Sequence, residues 1–177
     1  MSEKLISSPV IKRCAKNPVL TKKDVPYDSE LVFNAGIVKY QGKYVMVFRN
    51  DFGATEQDVN DFYTGKRKDW PPLRTNIGLA YSDNGIDWKV EKKPCFAIDD
   101  LQGEITHAYD PRLTIIDGRV YMCFATNTKH GLRAGIAVTD DFVKFDILHL
   151  TTPDNRNMVL FPEKIGGRFV RLERPFP

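Results

Sequence analysis

Three stretches of the chain repeat one plan: a short run rich in β-branched and aromatic residues, a two-residue turn containing glycine, and a second such run. They span 37–49, 113–125 and 161–173, with turns at Gln41-Gly42, Asp117-Gly118 and Gly166-Gly167. Each reads as a β-hairpin, because a two-residue turn with glycine matches the twist of the flanking strands. The first two are followed by a second matching element, 77–90 and 134–147. There a strand, a Ser/Thr-Asp-Asn/Asp turn and a strand bearing an aromatic recur, with Trp88 and Phe145 as the equivalent aromatics. Two hairpins in succession predict one four-stranded antiparallel sheet.

Gly42 and Gly118 lie 76 positions apart, and Gly118 and Gly167 lie 49 apart. A period of about 50 residues is that of β-propeller blades. The expected fold is therefore all-β, a partial β-propeller over 1–177, with blade units near 30–90 and 105–150 and the start of a third at 155–177. The surplus of the first unit falls between positions 50 and 76, an insertion expected to stand over one face of the ring. No helix of typical length is legible, although 58–64 could make one turn. A β-sandwich also has short strands at regular spacing, but it does not require hairpin-by-hairpin repetition. Because propellers have four to eight blades, a third unit with only one hairpin implies continuation past Pro177 or dependence on a partner.

The 177 residues are 42% hydrophobic and 28% charged, the composition of a folded globular chain. The 26 basic residues are interspersed with 23 acidic ones, which gives no basic face for nucleic acid. Lys66-Arg67-Lys68 is followed at once by Asp69 and reads as a solvated face. Cys14, Cys95 and Cys123 are odd in number and widely spaced, so neither a disulfide framework nor a metal site is expected. That usage fits a reducing, cytoplasmic setting. No apolar run approaches the 18 residues of a membrane span, and no signal-type segment is legible, so no membrane association is expected.

The unusual polar positions lie at the starts of the innermost strands. They are Asn34-Ala35-Gly36 in the first unit, 104–112 ending in Tyr109-Asp110-Pro111-Arg112 in the second, and Asn155-Arg156-Asn157 in the third. The first strand of each propeller blade lines the central channel, so these three places should converge on one pocket. An acid, an arginine and carboxamides together describe a carbohydrate or anion site. Pro111 biases Asp110 toward an extended conformation, which could hold its carboxyl in one direction for general-acid work. An Asx-type cap of the strand is the other reading of Asp110. By strand alternation Arg112 faces the same side as Asp110, either to bind substrate or to pair with that carboxylate. His107 and His130 are candidates for ligand contact. Asp83, Asp87, Asp140 and Asp141 recur in turns and read as caps. No nucleotide fingerprint and no serine-and-base arrangement is present.

One spaced series adds to this. Phe33-Asn34-Ala35-Gly36, Phe48-Arg49-Asn50-Asp51, Tyr109-Asp110-Pro111-Arg112, Asn157-Met158-Val159-Leu160-Phe161-Pro162-Glu163-Lys164 and Arg171-Leu172-Glu173-Arg174-Pro175 resemble glycoside hydrolase family 130. This is the family of β-1,4-mannoside phosphorylases and related β-mannosidases, and the likeness runs from Asn17 onward. It implies a five-bladed propeller, of which this chain would be an N-terminal fragment, roughly half the ring and inactive alone. It also implies inverting phosphorolysis of β-1,4-mannosides such as mannobiose, longer mannooligosaccharides or mannosylglucose, releasing α-mannose 1-phosphate.

Within that resemblance Asp110 is the proton donor, acting through a sugar hydroxyl. Arg49 and Asn50 line the mannose subsite, and Arg156, Asn157 and Lys164 bind phosphate; Asn34, Arg112 and His107, from the strand-entry reading, are expected to complete the sugar-binding set. Inorganic phosphate is the co-substrate, and no other cofactor is implied. A phosphate-independent β-mannosidase and a non-catalytic sugar-binding propeller are the competing functions, and homo-oligomerisation stays open.

Overall fold

The β-branched and aromatic runs pair into three successive antiparallel sheets in a computed structural model that describes residues 8, 10–97 and 105–176. Glu104 and Pro177, which entered the sequence argument, lie outside the described residues. The first sheet holds β1 (Leu31–Tyr40), β2 (Lys43–Phe52), β3 (Arg74–Ser82) and β4 (Lys89–Val90) in that order, with β5 (Phe96–Ala97) also pairing to β3. The second is β6 (Ile105–Ile116), β7 (Arg119–Thr128), β8 (Gly131–Thr139) and β9 (Asp146–Leu150). The third pairs β10 (Asn155–Leu160) with β11 (Arg171–Pro175). The chain is thus all-β, and its sheets follow the hairpin repeat.

Turn chemistry explains the hairpins. Gln41-Gly42 and Asp117-Gly118 adopt φ of 48° and 85°, and of 50° and 77°. Two positive φ values in a row are what a two-residue hairpin turn demands. Gly166-Gly167 likewise turns with positive φ under an isolated Ile165–Arg168 bridge, but the long pairing in that sheet lies farther out, between β10 and β11. Of the four aspartates read as caps only Asp141 takes that part; among the described residues Asp83 pairs with Lys43, Asp87 with Lys16 and the Asn84 side chain, and Asp140 with Arg119. The Thr139 hydroxyl accepts from the amides of Asp141 and Phe142, and the Asp141 carboxylate accepts from those of Val143 and Lys144. In the first sheet Ser82 and Asn84 take these two parts.

The middle sheet is buried on both faces. Val120, Met122 and Phe124 on one face of β7 pack with Val45, Val47, Ile77 and Leu79 of the first sheet. Tyr121 and Cys123 on the other face pack with Met158 and Leu160 of β10. This explains why 120–125 is apolar without alternation, as in strands covered on both sides. The outer face of the first sheet is closed by Val25 against Met46, Phe48 and Ala80, with Leu20 and Tyr27 packed alongside.

The insertion holds α1 (Glu56–Tyr63), two turns where the sequence suggested one. Thr55 starts it, because its hydroxyl accepts from the Asp58 amide while the Asp58 carboxylate accepts from the Thr55 amide. This reciprocal cap normally uses Glu or Gln at the third helical position, and the shorter Asp concealed it in the sequence. Among the described residues no helix is long and apolar enough to cross a membrane.

Candidate functional site

In each sheet the first strand carries one extra residue at a matching place. Asn34 and Ala35 oppose Phe48 alone, Asp110 and Pro111 oppose Phe124 alone, and Asn157 and Met158 oppose Glu173 alone. The first residue of each bulge lies in the left-handed region, with φ of 50° at Asn34, 54° at Asp110 and 60° at Asn157, so Asp110 is not extended as the following Pro111 suggested: the bulge overrides that bias. Asn and Asp tolerate that region better than other side chains, and a bulge re-aims the side chain it carries. Three chain-distant polar groups are therefore presented by one repeated local device.

Two of the three meet. Asn34 Nδ2 donates to Asp110 Oδ1 at 2.9 Å, and Arg49 Nη1 donates to the same oxygen at 3.3 Å. Among the described residues no side chain bonds to Oδ2 of Asp110, whose side chain is 14% exposed. Gly36 makes this meeting sterically feasible. A Cβ on it would stand 2.9 Å from both the Leu113 nitrogen and the Pro111 carbonyl oxygen, and 3.0 Å from Arg112 Cα.

Arg49 is fixed from several directions. Its Nε and Nη2 donate to the two carboxylate oxygens of Asp51 at 2.8 and 2.7 Å, and its guanidinium lies 4.5 Å from the Phe33 ring and 4.9 Å from the Tyr109 ring. Residues two apart on a strand share a face, which places Arg49 and Asp51 together on β2. Asp51 is 1% exposed. Burial pushes its carboxyl above the ordinary value, and the Arg49 contacts pull it back only in part. Burial opposes the Arg49 charge, but the Asp51 hydrogen bonds and the charges of Asp51 and Asp110 outweigh it, so the guanidinium is held above its ordinary value. A planar, delocalised cation between two aromatic faces with a bidentate acid behind it is a preorganised donor.

Beside this cluster lies a cavity of about 550 Å³ lined by Arg49, His107, Tyr109, Asn127 and Arg156, with the insertion segment 70–73 as one wall. His107 Nε2 sits 3.3 Å from the Leu73 carbonyl oxygen, and the Tyr109 hydroxyl donates to Asn127 Oδ1 at 3.0 Å. Burial raises the Tyr109 hydroxyl, while the Arg156 charge opposes that rise. The Arg156 guanidinium stacks 5.0 Å from the Phe176 ring. Its Nε, and Oδ1 of Asn157, are buried without a hydrogen-bond partner among the described residues. No group of three or more His, Cys, Asp or Glu side chains among the described residues is arranged to hold a metal ion.

Three expected site residues lie elsewhere. Asn50 is sealed from the surface, its Nδ2 donating to the Asp28 carbonyl and to Asn76 Oδ1, so it braces β2 from behind. Arg112 does not share a side with Asp110, because the bulge breaks the alternation. Asp110 is presented opposite Phe124, on the face packed against the first sheet, while Arg112 pairs with Cys123, whose side chain packs toward β10. Among the described residues its guanidinium donates only to the Asp110 main-chain carbonyl, at 3.4 Å. Lys164 forms an ion pair with Asp117 at 2.6 Å, at the far end of β6. That is seven residues from Asp110, roughly 20 Å at ~3.3 Å per strand residue.

His130 lies in the exposed turn between β7 and β8, its amide donating to the Thr128 hydroxyl. Asp51, Tyr109 and Asn127 join the site without having been singled out. The i, i+2 spacing to Arg49 was a signal for Asp51, and no comparable signal marked Asn127.

Comparison with known proteins gives the setting. The glycoside hydrolase 130 family model, described as beta-1,4-mannooligosaccharide phosphorylase, matches residues 2–175. Beta-1,4-mannooligosaccharide phosphorylase of Ruminococcus albus is 28% identical over 94% of this chain and 47% of its own. The 1,2-beta-oligomannan phosphorylase of a Thermoanaerobacter species is 26% identical over 94% of this chain and 54% of its own. The solved structure of beta-1,2-mannobiose phosphorylase from Listeria innocua, in complex with beta-1,2-mannobiose, superposes with a TM-score of 0.74 at 21% identity. It is covered over 58% of its length by 93% of this chain. The chain spans about half the length of the curated relatives it matches.

Proposed function

The chain belongs to glycoside hydrolase family 130, and on that footing we propose that it forms part of a five-bladed β-propeller enzyme carrying out inverting phosphorolysis of β-mannosidic bonds. The observation that carries this reading is the junction of Asn34, Arg49 and Asp110 at 2.9 and 3.3 Å, made by two bulges 76 residues apart in the chain. Asp110 is the acid. Its proton passes, by way of a sugar hydroxyl, to the departing glycosidic oxygen as the bond to the anomeric carbon breaks. A phosphate oxygen attacks that carbon from the opposite face, giving α-mannose 1-phosphate and the freed acceptor sugar. Asn34 and Arg49 orient the carboxyl so that the reacting groups start in a productive arrangement. A single carboxyl suffices because phosphate replaces the water that hydrolytic inversion would activate with a second one.

Arg156 and Asn157 are assigned to the phosphate side. An unpaired buried donor costs about 1–3 kcal/mol, and a phosphate oxygen would satisfy Nε of Arg156. Oδ1 of Asn157 accepts only, and so suits a hydroxyl of phosphate or sugar. Lys164 has no part in this scheme. The β-1,4 linkage is supported by the description of the family model and by the Ruminococcus albus relative. The Thermoanaerobacter relative makes a β-1,2-linked disaccharide the necessary comparison. Free, widely spaced cysteines support a cytoplasmic setting.

Product analysis of the intact protein given β-1,4-mannobiose with and without phosphate tests the reading. Mannose 1-phosphate formed only with phosphate is expected, whereas mannose released at equal rate without phosphate would make the enzyme a hydrolase. Asp110→Ala should lower turnover by at least about 10²-fold, the usual worth of general-acid help. A modest loss would reduce Asp110 to a sugar-hydroxyl acceptor in a binding protein.

A further inference from the structure

The insertion between β2 and β3 carries a feature the reaction scheme does not use. Phe62, Tyr63 and Trp70 form a mutual edge-to-face cluster, with ring centroids 5.7 Å apart for Phe62 and Tyr63, 5.0 Å for Phe62 and Trp70, and 6.0 Å for Tyr63 and Trp70. Tyr63 is 73% exposed and Trp70 49% exposed. Single exposed apolar residues are ordinary, but clustered aromatic rings left open to water mark a contact surface. Trp70 also lines the cavity shared by Arg49, His107 and Tyr109. Among the described residues its ring contacts run to Phe62 and Tyr63 and not to the Asp110 cluster.

The insertion is braced. Arg67 Nη1 meets the Asp58 carboxylate at 3.2 Å, and Arg67 Nε donates to the Asp69 carbonyl at 2.9 Å, which ties the loop before Trp70 to the capped start of α1. Beyond Trp70, the Leu73 carbonyl meets His107 Nε2 at 3.3 Å, and the Thr75 hydroxyl donates to the Ala108 carbonyl at 3.0 Å. The indole is therefore preset relative to β6, the strand that bears Asp110. A rigid aromatic face offers large contact area at small entropic cost, and the apolar C–H face of a pyranose ring is the complement that fits beside a polar cavity.

We propose that Trp70, backed by Phe62 and Tyr63, is an outer sugar platform. It receives a hexose unit of an oligosaccharide beyond the two that flank the broken bond, and so favours chains longer than a disaccharide. The proposal rests on the reading of the Asp110 cavity as a β-mannoside site.

The test compares the intact protein with its Trp70→Ala and Trp70→Phe forms on β-1,4-mannobiose and β-1,4-mannotetraose in the presence of phosphate. The ratio of kcat/KM for the tetrasaccharide to that for the disaccharide should fall about tenfold in Trp70→Ala, the size of one lost aromatic contact. It should be largely kept in Trp70→Phe, with the fall carried by KM. Tryptophan fluorescence of the Asp110→Ala form, titrated with the same sugars, should change more with the tetrasaccharide, and that change should vanish when Trp70→Phe is added. A ratio unaltered in Trp70→Ala, or equal losses on both sugars, overturns the platform while leaving the Asp110 reading intact. Absence of both turnover and fluorescence change with either sugar overturns the two together.

Discussion

Gly36→Ala is the sharpest test of the site geometry, because the added atom falls between the two strands whose approach assembles it. A Cβ at 2.9 Å from the Leu113 nitrogen and the Pro111 oxygen meets main-chain atoms of β6, which cannot rotate away as a side-chain tip would. Relief to ordinary contact requires the strands to part by roughly 0.5 Å or more. Overpacking of this kind costs about 1–3 kcal/mol. The same displacement stretches Asn34 to Asp110 from 2.9 Å past the ~3.2 Å limit of a good N–H···O bond, and lengthens further the Arg49 to Asp110 contact, which starts at 3.3 Å.

Two effects should therefore appear together in the intact protein: a lower unfolding midpoint, and a fall in kcat on the order of 10- to 100-fold. Thermal unfolding and steady-state phosphorolysis read them separately. A Gly36→Ala protein that melts at the original temperature shows that the strands are not so close. One that melts lower yet keeps kcat shows that the Asn34 and Arg49 contacts do not position the acid.

The two arginines near Asp110 should separate. Arg49→Ala removes a donor to the carboxylate and leaves Asp51 buried without its bidentate partner, so kcat/KM should drop by about 10²-fold or more. Arg112→Ala should cost only about tenfold, since one neutral main-chain acceptor is affected. Equal losses would put Arg112 back beside the carboxylate. The cap of α1 should respond to acid. The Thr55 hydroxyl, then its amide, hold the Asp58 carboxyl below its ordinary value. A group depressed in the folded state stabilises above its unfolded value, ~3.9, and loses that contribution as pH falls through its lower folded value. Hydrogen exchange of the α1 amides should therefore accelerate, relative to the core of β7, as pH falls below about 4, and less so in Asp58→Asn. A slope identical in the two proteins would refute the cap.

The repeat was legible because hairpin turns obey local rules: two consecutive positive φ values at Gln41-Gly42 and Asp117-Gly118 are a property of the turn itself. The burial of β7 on both faces agrees with its sequence, since 120–125 is apolar without alternation. The two turns of α1 were not, because a capping box with Asp at its third position looks like any acidic loop. The pairing of β10 with β11 was displaced from the stretch the sequence favoured, since Gly166-Gly167 closes only a single bridge there and the register is set farther out.

At the site, two misreadings, the side assigned to Arg112 and the extended conformation expected of Asp110, share one cause. Strand alternation put Arg112 beside the Asp110 carboxyl, and it would have been right in a regular strand. The extra residue at Asp110-Pro111 reverses the sides of everything beyond it, and a bulge has no mark in a single sequence beyond Asn or Asp at the left-handed position. That mark was present three times, at Asn34, Asp110 and Asn157, in equivalent places of three sheets. The same local twist that removes Arg112 from the carboxyl turns Asp110 toward Asn34 and Arg49 of the preceding sheet. The contact that unites the site is thus made between sheets, through residues 76 and 61 positions apart, and its geometry depends on how closely the sheets stack. Gly36, which carries no chemistry of its own, is for that reason as much a determinant of the site as the acid it lets approach.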